Sequence, residues 1–179
     1  MKAGRWLYRA RQFFSALLDR VGEEDMQEAR LVLGPRLSEM FACLPRQYRL
    51  HGLQVYRRVR QAGCQDLWVW QAALLHDAGK YDPATGRHVT LMHRVAIVLL
   101  KAVPGGRRML AWLARPLPTG VAGLVLYPFY LSKHHARLGA QLARQHGAHD
   151  EVVRLIARHH ARATLIPGLR ELRAADESS

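Results

Sequence analysis

The residues with the clearest capacity for chemistry are the pair His76-Asp77, which closes the run Trp68-Val69-Trp70-Gln71-Ala72-Ala73-Leu74-Leu75. That run is almost wholly apolar, so it predicts a central helix over Leu67 to about Ala78, terminated by Gly79 and Pro83. An imidazole and a carboxylate at the end of a core helix need partners, because unpaired buried charge is costly. The pair alone also fits an aspartate that merely orients its neighbouring histidine, with no metal.

Other positions shift the balance. His51 lies close to the apolar stripe that includes Leu53, Tyr56 and Val59. His135 shares an inward stripe with Leu138, Gly139 and Leu142, and Gly139 leaves room there for a close neighbour. His159 follows Val152 and Ile156 on another inward stripe, and Asp176 follows Leu172 near the C-terminus. Neutral imidazoles with carboxylates suit Mn, Fe, Co, Ni or Zn rather than Ca. Such an ion acidifies a bound water and polarises a phosphoryl oxygen, which is metal-assisted hydrolysis. Two ions would share a bridging carboxylate, and Asp77 is the best placed to bridge. His134 and His160 each adjoin a stronger ligand, and adjacent helical residues point about 100° apart. One member of each pair is therefore expected at the rim or in solvent. His88, His93, His146 and His149 read as loop or surface residues, with His93 closest to a pocket mouth.

The elements that must position these groups are helical, and strand alternation is nearly absent. A first helix is expected over Met1 to Asp19 and a second over Glu24 to Leu33, halted by Gly34-Pro35. A short third leads to Cys43. Pro45 suits the first turn of the His51 helix, which Gly63 ends. Further helices are expected over Val89 to Val103, Ser132 to Gln145, Asp150 to Ala161, and Pro167 to about Asp176. Pro116 to Pro128 reads as a loop with an apolar helical piece. The expected architecture is an all-α, single-domain bundle, with 1–44 as a helical extension and 45–179 as the metal-binding helical part.

The His51, His76-Asp77 and Asp176 pattern, with the string Ala-Ala-Leu-Leu-His-Asp-Ala-Gly-Lys, resembles the HD-domain superfamily of metal-dependent phosphohydrolases over roughly Pro45 to Glu177. His135-Ala-Arg-Leu-Gly139 is similar to the family's His-x-x-x-Gly stretch, and Ile156-Ala-Arg-His159-His160 to its next histidine-bearing helix. Together they resemble the H…HD…H…H…D subclass, which generally holds two metal ions. The resemblance implies the ligands His51, His76, Asp77, His135, His159 and Asp176, and a phosphate or water contact from Lys80. Asp77 and Lys80 are thus the implied catalytic pair. The family's cyclic-di-GMP phosphodiesterases carry Asp-Gly-x-Gly-Tyr-Pro after their double histidine. Here Ala161-Arg-Ala-Thr-Leu-Ile-Pro-Gly follows instead, which argues against that substrate. The His-Thr-Thr-Gly of its diadenosine tetraphosphate hydrolases is missing too.

Composition bounds the partners. The chain has 179 residues, with 27 Lys and Arg against 14 acids, a formal charge of +13. No Asp or Glu occurs from Pro83 to His149, where Arg87, Arg94, Lys101, Arg107, Arg108, Arg115, Lys133, Arg137 and Arg144 lie. Such a field attracts phosphate substrates, nucleic acid or anionic lipid. Arg94 and Arg87 follow the His-Asp helix soonest and are the first choices, with Lys80, for binding substrate phosphate. Cys43 and Cys64 form no CxxC pair, which excludes a thiolate zinc site. No secretory signal or membrane span is read, so the expected compartment is cytoplasmic. The first helix, with Trp6, Phe13, Phe14 and several Arg, reads as a bundle helix or as a peripheral anchor on anionic lipid.

Two functions of different class result. One is an enzyme that hydrolyses a phosphate ester or anhydride, of a small nucleotide or another phosphate ester, through a metal-activated water. The other is a module of the same fold that binds metal and nucleotide, or nucleic acid, without turnover.

Overall fold

The computed structural model describes residues 21–115, 121–161 and 165–179, so the expected helix over Met1 to Asp19 lies outside the described residues. Among these residues the chain forms eight α-helices and one two-stranded sheet, an all-α bundle as expected. Helix α1 (Glu23–Ala42) opens with Glu23, Glu24 and Asp25, whose charges suit the positive end of a helix dipole. It runs through Gly34-Pro35 as two helical pieces joined at a kink. Gly34 takes a positive φ of 70° there, which a residue without Cβ adopts readily. Met26, Ala29, Leu33, Leu37 and Phe41 recur every three or four residues and bury one face in the same core as the following helices.

Helix α2 (Arg46–Gln61) and helix α3 (Leu67–Leu75) form the heart of the bundle. Asp66 caps α3 by accepting from the Trp68 amide at 2.8 Å. From Val69 to Leu75 only Trp70 is not fully buried, and Gln71 satisfies its amide on the Val32 carbonyl. Gly52 of α2 lies against the backbone of Leu74, where a Cβ would collide with the Leu74 carbonyl. This close approach brings the next residue back, His51, to within 5.1 Å of His76, ring centre to ring centre.

Helix α3 stops three residues earlier than its apolar pattern suggests. His76 is its C-cap, Asp77 sits in the bridge region (φ −95°, ψ 2°), and Ala78–Lys80 form a single 3₁₀ turn. The physical cause is local. His76 Nδ1 donates to the Ala73 carbonyl at 2.9 Å and takes up an acceptor that continued α-helix would use. The chain then makes an unexpected hairpin of β1 (Tyr81–Asp82) and β2 (Arg87–His88), antiparallel, with Tyr81 opposite His88. Two-residue strands carry no alternation to detect.

Helices α4 (Leu91–Ala102) and α5 (Gly106–Leu113) follow as a helical hairpin. Helix α6 (Val121–Gln145) corrects the expected Pro116 to Pro128 loop, since it continues through Pro128 into the expected Ser132 helix. Residues 116–120 of that loop lie outside the described residues. Pro128 removes one backbone donor, but burial of Phe129 and Leu131 beside it offsets that loss. Helix α7 (Asp150–Arg158) ends before the two histidines expected inside it, and α8 (Leu169–Glu177) buries Leu169, Leu172 and Ala175. No helix of the described residues is long and apolar enough to cross a membrane.

Candidate metal centre

Six histidines and aspartates singled out by type and spacing converge at one place in the bundle, together with His160. His51 comes from α2, His76 and Asp77 from the turn after α3, and His135 from mid-α6. His159 and His160 come from the end of α7, and Asp176 from α8. His76, Asp77, His135 and His159 are buried, while His51 and Asp176 are partly so.

The imidazoles share a mode of support. His76 Nδ1 lies 2.9 Å from the Ala73 carbonyl, His135 Nδ1 2.7 Å from Ser132, and His159 Nδ1 2.7 Å from Ile156. A carbonyl only accepts, so each Nδ1 carries a proton, and in the neutral rings of His135 and His159 Nε2 then presents a bare lone pair. Backbone carbonyls support metal-bound histidines in this way, by fixing tautomer and ring direction.

The lone pairs of His135 and His159 meet, and His160 joins them. His135 Nε2 is 3.2 Å from His159 Nε2 and 3.0 Å from His160 Nε2. His76 Nε2 is buried with no hydrogen-bond partner. Two facing acceptors with no proton between them repel, and a cation placed between them removes that repulsion. Ligands each about 2.1 Å from one ion stand roughly 3.0–3.4 Å apart at octahedral or tetrahedral angles. The His135–His159 and His135–His160 spacings fall in that range.

Carboxylates complete two adjoining groups. Asp176 Oδ1 lies 3.1 Å from His51 Nε2 and 3.5 Å from His76 Nε2. Asp77 stands between the groups. Its Oδ1 is 3.7 Å from His76 Nε2 and 3.6 Å from His135 Nε2, and its Oδ2 is 3.7 Å from His51 Nε2. Lys80 Nζ holds the same Oδ2 at 2.6 Å. His51, His76 and Asp77 form one set that could hold a metal, and His135, His159 and His160 form another.

Electrostatics suit cation capture. Burial opposes ionisation of Asp77, yet Lys80 and then the surrounding imidazoles hold its pKa well below the ordinary carboxylate value. Burial opposes ionisation of Asp176 too, but the hydrogen bond with His51 and the charge of the nearby His76 keep it ionised. Burial also opposes charging of His76, but the neighbouring carboxylates favour positive charge there and raise its pKa. Burial lowers His135 to about 4 and His159 to about 3, so both are neutral near pH 7 and available as ligands.

One of His159 and His160 was expected at the rim or in solvent, and His160 is the exposed one, while its Nε2 still lies 3.0 Å from His135 Nε2. The expectation assumed helix through Ala161. Because α7 ends at Arg158, His159 is its C-cap and His160 the next turn residue, and their rings lie 3.9 Å apart. His134, in contrast, packs against Tyr130. The signal for His160 was the double histidine itself.

The structure does not bring Arg87 to the cluster. Its guanidinium reaches the Gly123 carbonyl and lies over the Tyr127 ring. Arg94 is nearer: it lies over the Tyr48 ring, whose hydroxyl feels the charge of both Arg94 and Asp77, and its Nη2 is buried without a partner. His93 meets Thr90 and Phe129, His88 meets Tyr48, and His149 caps α7 while stacking on Trp68. Compared with protein-family models, with curated proteins and with solved structures, the chain finds no match in any of the three.

Proposed function

We propose that this chain is a metal-dependent phosphohydrolase of the HD-domain type, acting on a phosphate ester or anhydride of a nucleotide. The observation that carries the reading is the convergence of Nε2 atoms from His76, His135 and His159, each with an Nδ1 proton committed to a backbone carbonyl, around the Asp77 carboxylate. His51, His76 and Asp176 would hold one divalent ion and His135, His159 and His160 a second, with Asp77 shared between them. Imidazole and carboxylate suit Mn, Fe, Co, Ni or Zn. When bound, such ions supply Lewis acidity at a phosphoryl oxygen and make water nucleophilic near neutral pH.

The chain's own groups do the rest. Lys80 fixes the Asp77 carboxylate and presents positive charge beside the place where phosphate would sit. Arg94 has an unpartnered Nη2 and a guanidinium braced by Tyr48, which makes it the leading clamp for a phosphate oxygen.

The test is phosphate or nitrophenol release from nucleoside phosphates and from mono- and bis-nitrophenyl phosphate. Chelated protein should be inactive, and returning Mn²⁺ or another transition ion should restore turnover. Release that persists unchanged in chelator contradicts the proposal. Tight metal binding with no turnover of any ester would favour the binding-module reading.

A further inference from the structure

We propose that the α4–α5 hairpin is a docking surface for an anionic phospholipid bilayer. Helix α4 buries none of its residues, and α5 buries only Gly106. Met92, Val95, Val98 and Leu99 face outward on α4, and Met109 and Trp112 do so on α5. Met92 is 73% exposed, Leu99 63% and Trp112 58%. Met92, Val95 and Leu99 recur at helical spacing along one stripe of α4, and clustered apolar side chains left in water mark an interaction site.

Charge identifies the occupant. Lys101, Arg107 and Arg108 line an open hollow of about 420 Å³ at the α4–α5 turn, with Val103, Pro104 and Gly105. Arg115 lies just beyond α5, and no acid occurs anywhere from Pro83 to His149. A second copy docked face to face would therefore set like charges against each other. The first eighteen residues carry Lys2, Arg5, Arg9 and Arg11 with no acid before Asp19, so they offer this face no complementary charge. A nucleic acid would neutralise the cations but leave the aliphatic side chains in water. An anionic bilayer satisfies both needs. Its acyl boundary takes the apolar side chains, and its headgroup phosphates meet the basic hollow.

The experiment is flotation of the full chain with vesicles of phosphatidylcholine alone or mixed with phosphatidylglycerol, at low and raised salt. Binding is expected only to the mixed vesicles and should weaken with salt. Arg107→Ala with Arg108→Ala should weaken it roughly thirtyfold, from about 1 kcal/mol per basic residue at an anionic surface. Leu99→Glu with Trp112→Glu should lower it at least about tenfold while the thermal midpoint stays unchanged. The proposal is overturned by equal binding to both vesicle types or to neither, or by binding that both double variants retain. It is also overturned by a solution dimer that Leu99→Glu with Trp112→Glu dissolves, or by binding to RNA that this variant leaves intact.

Discussion

Asp77→Ala is expected to lower metal-dependent phosphate release at least about a hundredfold, the loss of a few kcal/mol of transition-state stabilisation. The size follows from position. One carboxylate faces His51, His76 and His135 at 3.6–3.7 Å and is gripped by Lys80 at 2.6 Å, so its removal strips a ligand from both proposed ion positions at once. The methyl that remains leaves Lys80 without its anion in a half-buried place. Asp77→Asn keeps the shape and removes the charge, which separates chemistry from packing. Both variants should lose activity together, while their thermal midpoints show whether the bundle survives. Activity retained in Asp77→Asn would mean that the carboxylate's charge does not matter to the reaction.

Gly79→Val is expected to be the most damaging single change to the architecture that holds the site. A Cβ at Gly79 would overlap the His135 carbonyl oxygen and the Gly139 amide nitrogen, both on α6 backbone that cannot rotate away. Gly79 does not have a positive φ, so its requirement is space rather than conformational freedom. Overpacking costs typically about 1–3 kcal/mol, and backbone against backbone belongs at or above the top of that range. For a chain of this length that is a fall of roughly 10 °C in thermal midpoint. Pushing α6 away also carries His135 from Asp77, so metal should be lost in parallel. Gly22→Ala, where a Cβ meets only the Asp25 carboxylate at 3.6 Å, should change stability by no more than about 1 kcal/mol. A Gly79→Val chain that melts like the parent would show that the 3₁₀ turn and α6 are not packed as described.

The same junction shows what the sequence made readable. Gly139 stood out because it lies one turn beyond His135 on an inward stripe, and in the fold it faces Gly79 across a backbone contact. Gly79 itself looked like a helix terminator, since a space requirement set by a distant helix leaves no local trace. His51, His76, His135 and His159 were legible because helical periodicity aims them inward, and that periodicity holds up to each residue. The contact of the exposed His160 with His135 was not, because it depends on α7 ending at Arg158, and helix ends are set by backbone carbonyls taken up locally, as Ile156 is by His159. Arg87 was chosen for closeness in sequence to His76-Asp77, but the β1–β2 hairpin turns it toward Tyr127. Helix α6 ran through Pro128 because burial of Phe129 and Leu131 outweighed one missing donor, a tertiary effect no local rule contains.

The central claim is that two adjoining ion positions share Asp77. It is tested most directly by elemental analysis of untagged protein purified without chelator, alongside His51→Ala, His159→Ala and Asp77→Ala. The account predicts about two transition-metal ions per chain in the parent, about one in each histidine variant, and close to none in Asp77→Ala. A parent that binds no metal after reconstitution, or histidine variants that keep the parent's full content, would contradict it.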